Sequence, residues 1–151
     1  MGVRDIFQVM QARRSCRQFK PDPRPEFEMV MVRLAGETAP YASGGPRREV
    51  IGPIPGKTIA SACYNQRCVH QAPCAWIMCG KDRHTMLRSG HAKYIFDCAA
   101  TCMLMDLMAV SLGMGTCWIG HFDPDMVRKA CSIDDDLVPT IILLAGVRND
   151  G

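Results

Sequence analysis

The sequence lacks several features by which a function is usually recognised. It has no Cys-x-x-Cys pair, no Ser/His/Asp or Cys/His signature of a nucleophilic enzyme, and no glycine-rich dinucleotide fingerprint. Charge of one sign is also scarce, since 18 lysines and arginines stand against 15 acidic residues in a chain of 151. With so small an excess of positive charge, the composition does not favour nucleic acid as a partner.

The sequence also lacks an obvious membrane or export signal. Arg4 and Asp5 precede a mixed polar segment with no apolar signal core, and no apolar run approaches the length needed to cross a bilayer. The length suits one compact domain over residues 1–151. We therefore expect a single-domain protein of the cytoplasm that makes no membrane contact.

Cysteine, in contrast, is abundant. There are nine cysteines, but the number is odd and the spacings do not suit a zinc or iron–sulfur site. Most lie in apolar segments, as Cys74 and Cys79 do, where a free thiol behaves as a small hydrophobic side chain. The four histidines are isolated as well. We expect thiols that fill the core in a reducing compartment, and no metal site.

A dense basic segment, Arg-Arg-Ser-Cys-Arg-Gln-Phe, occupies residues 13–19. It follows an apolar-periodic stretch, residues 6–10, that predicts a short helix, and it precedes Pro21 and Pro23, which prevent helix continuation. Guanidinium groups offer a rigid fork of donors to phosphate, so a phosphorylated cofactor is the natural ligand. A basic run after a helix can also simply offset the helix dipole in solvent.

The chain after these prolines predicts a helix, a loop, a strand and a second helix. The first helix runs from Pro25 to about Ala35, with Arg33 and Glu37 outside. Its apolar face consists of Phe27, Val30, Met31 and Leu34. Residues 39–46 form a loop of small side chains that would let backbone N–H groups approach a ligand, or serve as an ordinary linker. Residues 50–56 allow at most a short edge strand, and a helix is expected over about 57–69.

The second half of the chain predicts a small sheet and a buried helix. The apolar run from Cys74 to Gly80 indicates a strand covered on both faces. Residues 93–112 predict a helix that is apolar all round, with one face at a subunit interface. Strands over 113–120 and 138–147 would flank a helix capped by Asp123. The alternation indicates an α+β or α/β protein whose small sheet is wrapped by helices.

Four motifs occur in order along the chain. They are Arg-Arg-Ser-x-Arg-x-Phe at 13–19, Ala-Pro-x-Ala-Ser-Gly at 39–44, Asn-Gln at 65–66 with Ala-Pro at 72–73, and Gly-x-Gly-Thr-Cys-Trp-Ile-Gly at 113–120. Together they resemble the nitroreductase-like flavoprotein family, from about Arg4 to Val147. The resemblance implies a three-layer α+β fold with a small, mainly antiparallel sheet wrapped by helices. It also implies an intertwined homodimer that binds flavin mononucleotide (FMN) at the subunit interface.

The resemblance implies roles for the basic segment. Arg13 and Ser15 would contact the flavin phosphate, and Arg14 would support the site. Arg17 would lie near the pyrimidine edge of the ring, where negative charge develops on reduction. No side chain is assigned a catalytic role, because the flavin itself carries out hydride transfer.

The other motifs would contribute further cofactor contacts. Ala42, Ser43 and Gly44 correspond to a loop that the other subunit lays across the cofactor, and Asn65 to an amide that hydrogen-bonds the flavin ring. One further segment would line the flavin near its hydride-accepting nitrogen, mainly through its backbone: Trp118, Ile119 and Gly120.

By this resemblance the protein would transfer hydride from NADH or NADPH to a nitroaromatic, quinone or related small electrophile. Donor and acceptor would use the same site in turn, in a ping-pong mechanism. Many members carry a second serine, an asparagine and a lysine where this chain has Tyr41, Gly44 and Cys68. The chain also ends at Gly151, where longer members add basic contacts to the phosphate that Arg148 alone could replace.

These departures leave other functions open. One is a flavin-binding or flavin-storage protein without NAD(P)H oxidoreductase activity. Another is a dehydrogenase of the same superfamily that oxidises azoline rings in peptides, for which Lys93-Tyr94 is the relevant pair, although the same pair also occurs as plain structure. A redox-thiol or metal protein is the remaining alternative.

Overall fold

The computed structural model describes residues 5–149, so Arg4 and Gly151 lie outside the described residues. The helices are α1 (Ile6–Ala12), α2 (Glu26–Glu37), α3 (Arg67–Gln71), α4 (Lys93–Ser111) and α5 (Pro124–Cys131), and the strands are β1 (Arg48–Ile54), β2 (Cys74–Gly80), β3 (Gly115–Ile119) and β4 (Val138–Gly146). The strands form one sheet in the order β1-β2-β4-β3, with every neighbouring pair antiparallel. Strands β1 and β3 are therefore its edges.

The sheet is covered on both faces because its central strand is apolar on both sides. Ala75 and Ile77 of β2 pack into a core with residues of α3 and α5, whereas Trp76 and Met78 pack against α2 and α4. Since successive side chains of a strand point to opposite faces, the run of apolar residues yields three layers. This confirms the predicted α+β fold with a small antiparallel sheet between helices.

Several elements lie where the sequence predicts them. The bounds of β2 are the predicted ones, and α4 ends one residue before the predicted Leu112. The carboxylate of Asp123 caps α5 by accepting backbone N–H groups from Asp125 at 2.9 Å and Met126 at 3.1 Å. All nine cysteines are free thiols and seven are buried, as expected of side chains that fill the core.

Helix α2 presents to solvent the face that was predicted to be its apolar side. Phe27 and Leu34 are 61% and 58% exposed, and the helix packs inward through Met29, Val32 and Gly36. A Cβ at Gly36 would lie 2.8 Å from Cγ of Met105, so the glycine permits close contact with α4. The prediction that Arg33 faces outside is wrong, because its guanidinium donates to the carbonyl oxygen of Val50 at 3.0 Å.

The helix predicted over residues 57–69 is also wrong. Two short 3₁₀ turns, Gly56–Ile59 and Ser61–Cys63, precede α3. They are separated from it by Tyr64 and Asn65, both with φ of 54°. Two consecutive residues with left-handed backbone cannot continue a right-handed helix. Neither residue is a glycine, from which the break could have been predicted.

Helix α4 is the core helix of the layer that covers one face of the sheet. Contrary to the expectation of no such run, it is long and apolar enough to cross a membrane by length and composition alone. It packs against the sheet and α2, and it buries two carboxylates, Asp97 and Asp106. Within one chain it is not buried all round, because Ile95 and Phe96 are about half exposed.

Candidate functional site

The basic segment lies along the open edge of β3. Ser15 forms a parallel bridge with Thr116, and the backbone N–H of Cys16 donates to the carbonyl oxygen of Thr116 at 2.7 Å. Phe19 pairs with Arg148, which follows β4. Because both neighbours belong to the sheet or follow directly from it, the segment is held as an additional extended strand rather than as a loose loop.

The order of residues in this segment explains its orientation. Cys16 and Phe19 are both 2% exposed and belong to the core on the α3 and α5 side. Arg14 and Ser15, which precede Cys16, are exposed, and so is Arg17, which lies between Cys16 and Phe19. The segment therefore directs its cations and hydroxyl away from the sheet while two apolar side chains fix its position.

A cavity of about 340 Å³ opens beside these exposed groups. It is lined by Arg14, Ser15, Cys16, Arg17, Gln18, Arg148 and Asn149. Three guanidinium groups, one hydroxyl and two amides provide the charge-assisted donors that a phosphate requires. The cavity is thus chemically an anion site.

Glycine is required where β3 begins beside this cavity. A Cβ at Gly115 would lie 2.6 Å from Cγ of Arg148 and 2.8 Å from Sγ of Cys16. Both distances are shorter than van der Waals contact, so any side chain here would push the cavity wall outward. The glycine therefore lets the basic segment and Arg148 approach β3 together.

Arg13 lies next to the cavity rather than in its lining. Its Nη1 is 3.4 Å from Oδ2 of Asp106 on α4. The side chain of Asp106 is fully buried, and it also accepts hydrogen bonds from Oγ1 of Thr116 at 2.6 Å and from Nε1 of Trp118 at 2.9 Å. One buried carboxylate thereby links the basic segment, β3 and α4.

Asn65 lies at the opposite end of β3 from Gly115. Gln66 beside it donates from Nε2 to the carbonyl oxygen of His121 at 3.1 Å, just beyond Gly120. Tyr64 stacks on the ring of His121 with centroids 4.4 Å apart. The exposed amide of Asn65, whose Oδ1 is 3.4 Å from Nε2 of His70, is therefore brought to the chain segment 118–120.

Arg17 connects the two ends of the site. A hydrogen bond from Cys117 on β3, helped by the charge of Arg17, lowers the pKa of the Cys68 thiol from 9.0 to about 6. The same contact raises the pKa of Cys117, with burial acting in the same direction. Arg17 is therefore within electrostatic range of Cys68, which lies on α3 three residues after Asn65.

The loop with Ala42, Ser43 and Gly44 is not part of this cavity within one chain. Its carbonyl at Ser43 accepts a hydrogen bond from Nη1 of Arg47 at 3.2 Å, and the backbone N–H of Arg47 donates to Asp97 at 2.7 Å. Asp97 precedes Asp106, the partner of Arg13, by nine residues on α4, which is about 13 Å along the helix axis.

The loop instead borders a second cavity of about 310 Å³ near the start of α4. That cavity is lined by Pro40, Tyr41, Ala42, Leu87, Lys93, Phe96, Asp97 and Ala100. Within residues 5–149, no cluster of histidine, cysteine and acidic side chains could hold a metal ion.

Sequence reasoning missed Asp106, Gln18 and Asn149. Gln18 and Asn149 are joined by a backbone hydrogen bond of 3.0 Å, a contact across the length of the chain that leaves no local pattern. Asp106 could have been noticed in the sequence, because it is a carboxylate within an almost wholly apolar helix. Such a group needs hydrogen-bond donors when it is buried.

The sequence profile of the Nitroreductase family matches residues 49–147, which is more than half of the chain. The chain belongs to the Nitroreductase family. Membership implies a flavin-dependent oxidoreductase. No curated protein matches the sequence.

Solved structures of the Nitroreductase family share the fold. A nitroreductase family protein from Clostridium novyi NT is 22% identical, with a TM-score of 0.88 over 97% of this chain and 87% of that one. A family protein from Clostridium difficile 630 is 24% identical, with a TM-score of 0.83 over 98% and 86%. The NfrA1 nitroreductase from B. subtilis is 20% identical, with a TM-score of 0.83 over 97% and 67%. At these identities the likeness shows the fold.

Proposed function

We propose that this member of the Nitroreductase family is an FMN-dependent oxidoreductase that passes hydride from NADH or NADPH to a nitroaromatic, quinone or related small electrophile. The observation that carries the proposal is the cavity lined by Arg14, Ser15, Arg17 and Arg148 beside β3. Donor and acceptor would occupy the site in turn, because neither needs a dedicated dinucleotide fold. The cytoplasm is the expected location.

The residues present fit FMN. Arginine forks and the Ser15 hydroxyl match a phosphate dianion, with Arg13 adjacent in the chain. At the other end, the exposed amide of Asn65 can both donate and accept, as a pyrimidine edge requires. The absence of a side chain at Gly115 lets Arg148 and the basic segment approach β3 closely at the phosphate end.

The chain's own residues would bind and tune the cofactor rather than react with it. When bound, FMN supplies the hydride chemistry. Arg13, Arg14 and Ser15 would hold its phosphate, and the cation of Arg17 would stabilise negative charge at the pyrimidine end. The backbone of Trp118, Ile119 and Gly120 would line the reactive edge.

A homodimer would complete the site. Apolar side chains remain exposed on α1, α2 and α4, namely Ile6, Phe7, Met10, Phe27, Val30, Leu34 and Phe96. Exposed apolar surface of this extent favours a protein interface. A second copy seated there would cover it and could lay its own Ala42, Ser43 and Gly44 over the flavin.

One observation favours flavin binding without NAD(P)H activity as the second candidate. Cys68, which stands where many relatives have a lysine, is 7% exposed and carries no cation. The positive charge that such a lysine supplies would then have to come from another residue such as Arg17, whose charge acts on Cys68. The azoline alternative gains no such support, because the ring of Tyr94 packs against Gly80, where a Cβ would lie 2.1 Å from it.

The test is the visible absorption spectrum after incubation with FMN and desalting, followed by anaerobic addition of NADH or NADPH. Retained flavin whose absorbance bleaches on addition would establish the oxidoreductase. Retained flavin that stays yellow with both donors would favour storage or another electron donor. A protein that retains no flavin would contradict the proposal.

A further inference from the structure

Asp106 is the most completely buried charged group near the candidate site. Its side chain is 0% exposed, on a helix whose other buried side chains are mostly apolar. Burying an ionised carboxylate costs several kcal/mol unless donors surround it. The fold satisfies this requirement with three donors from two separate parts of the chain.

The three donors are divided between the two oxygen atoms of the Asp106 carboxylate. Oδ1 accepts from Oγ1 of Thr116 at 2.6 Å. Oδ2 accepts from Nε1 of Trp118 at 2.9 Å and from Nη1 of Arg13 at 3.4 Å. Thr116 and Trp118 lie on one face of β3, two residues apart, so the carboxylate holds the strand as well as the cation.

Arg13 has N–H donors beyond the nitrogen that contacts Asp106. A guanidinium has five N–H donors, and Asp106 engages one of its nitrogens. The side chain is 32% exposed, and Arg14 and Ser15, the next two residues, line the anion cavity. Arg13 can therefore bind the carboxylate on one side and an anion on the other.

We infer that Asp106 is a positioning residue that orients the guanidinium of Arg13 toward the phosphate of the cofactor and ties that orientation to β3. The inference rests on the proposed function, since it takes the cavity as a phosphate site. Asp106 makes no contact with the cofactor in this role. It fixes the phosphate end of the site relative to the strand that lines the flavin ring.

The sign of one substitution separates positioning from simple electrostatics. Asp106→Asn removes a negative charge beside a phosphate, so electrostatics alone would strengthen FMN binding. Positioning has the opposite effect. An amide at this position can donate from its NH₂ to Oγ1 of Thr116 while its oxygen faces Trp118 and Arg13, so the strand contact is kept. The charge-assisted bond that orients Arg13 becomes a weaker neutral one.

The experiment measures the affinities of FMN and riboflavin for the same protein, because riboflavin lacks the phosphate. For Asp106→Asn we expect FMN affinity to fall roughly tenfold while riboflavin affinity changes less than about twofold. A matched control is Glu28→Gln, a buried carboxylate on α2 that is paired with Arg24 at 2.7 Å. It should leave the ratio of the two affinities unchanged.

A double-mutant cycle tests whether Asp106 acts on FMN binding through Arg13. Arg13→Ala alone should lower the ratio of FMN to riboflavin affinity. Adding Asp106→Asn to that variant should not change the ratio further. If Asp106→Asn does not fold, Arg13→Lys serves instead. A lysine keeps the charge but has no fork to share, so the ratio should fall.

The outcomes separate this inference from the proposed function. A native protein that prefers FMN, with an unchanged or increased ratio in Asp106→Asn, would overturn the positioning role alone. An unchanged ratio in Arg13→Lys would also overturn it. A native protein that binds FMN no better than riboflavin would contradict the phosphate site and the inference together.

Discussion

The two cofactor-binding regions predicted from the sequence differ in how far a single chain assembles them. The basic segment is anchored to β3 by backbone hydrogen bonds, to the core by Cys16 and Phe19, and to α4 through Asp106. The loop at residues 42–44 is held only at the other end of α4 through Arg47 and Asp97. The first region lines its own cavity within one chain, and the second lies apart from that cavity and borders another one at the start of α4.

In the proposed site the basic segment is a fixed half, and the loop at residues 42–44 is an open half that a partner chain would supply. The fixed half combines charge with buried anchors, and the open half combines small side chains with turn glycines. Apolar side chains on α1 and α2 are exposed in the single chain. If a second copy covers those side chains, its loop becomes available to the fixed half, so flavin binding and dimerisation should be linked.

The largest expected effect comes from breaking that assembly. Leu34→Glu places a carboxylate on the exposed apolar face of α2, where Leu34 is 58% exposed in the single chain. Desolvating that charge would cost about 3 kcal/mol or more, roughly a 100-fold loss of dimer affinity. Sedimentation should show a monomer, and flavin retention after desalting should fall with it.

The matched control for this prediction is Met126→Glu. Met126 is 43% exposed on α5, in the layer on the other face of the sheet. The same change of an exposed apolar side chain to glutamate should leave both the dimer and the flavin unaffected. A native protein that already sediments as a monomer at micromolar concentration would remove the interfacial site.

A smaller effect is expected from the fixed half. Arg13→Ala and Arg17→Ala each remove a charge-assisted contact, so FMN affinity should fall roughly tenfold in each. Arg17→Ala should also make the bound flavin harder to reduce, because it removes the cation near the pyrimidine end. Spectroscopic titration with FMN, followed by measurement of the reduction potential, tests both statements.

Arg83→Ala is the control for these arginine substitutions. Arg83 is exposed, contacts His84 and follows β2, which β4 separates from β3 in the sheet. Its removal should change neither FMN affinity nor reduction potential. Unchanged flavin content in both Arg13→Ala and Arg17→Ala would defeat the assignment of the basic segment to the cofactor.

The fold was predictable wherever local chemistry decides the structure. Strand β2 has the predicted bounds because its apolar run ends at Pro73 and Gly80, and α5 begins where Asp123 caps it. Helix α2 was predicted with the wrong inward face because apolar residues occur both on its exposed side, as Phe27 and Leu34, and on its buried side, as Met29 and Val32. Sequence periodicity identifies an apolar face but not the surface that covers it.

The site was only partly predictable because its key contacts are remote in sequence. The basic segment can be recognised from its composition. The contact between Arg13 and Asp106 cannot, because the two residues are 93 positions apart in the sequence. The break at Tyr64 and Asn65 leaves no local signal either, since both residues adopt left-handed backbone without glycine. Only the packing of the whole chain brings these residues to the ends of β3.

The smallest expected effect concerns the thiols between the two ends of the fixed half. The hydrogen bond from Cys117, together with the weaker influence of Arg17, lowers the pKa of Cys68 to about 6. In the native protein the Cys68 thiolate should therefore be formed at pH 7. Absorbance at 240 nm should detect it, and Cys117→Ala, which removes the donor, should move that absorbance step toward the ordinary value of 9.0.

The sign of the stability change follows from the direction of this pKa shift. An acid whose pKa is lowered by folding stabilises the native state above its ordinary pKa, and this stabilisation is lost as the pH falls through about 6. Cys117→Ala should therefore reduce the free energy of unfolding more at pH 8 than at pH 5. The comparison is made between these two pH values because they lie on either side of the lowered pKa of Cys68. Equal losses at both pH values would mean that Cys68 is a neutral thiol in the native protein.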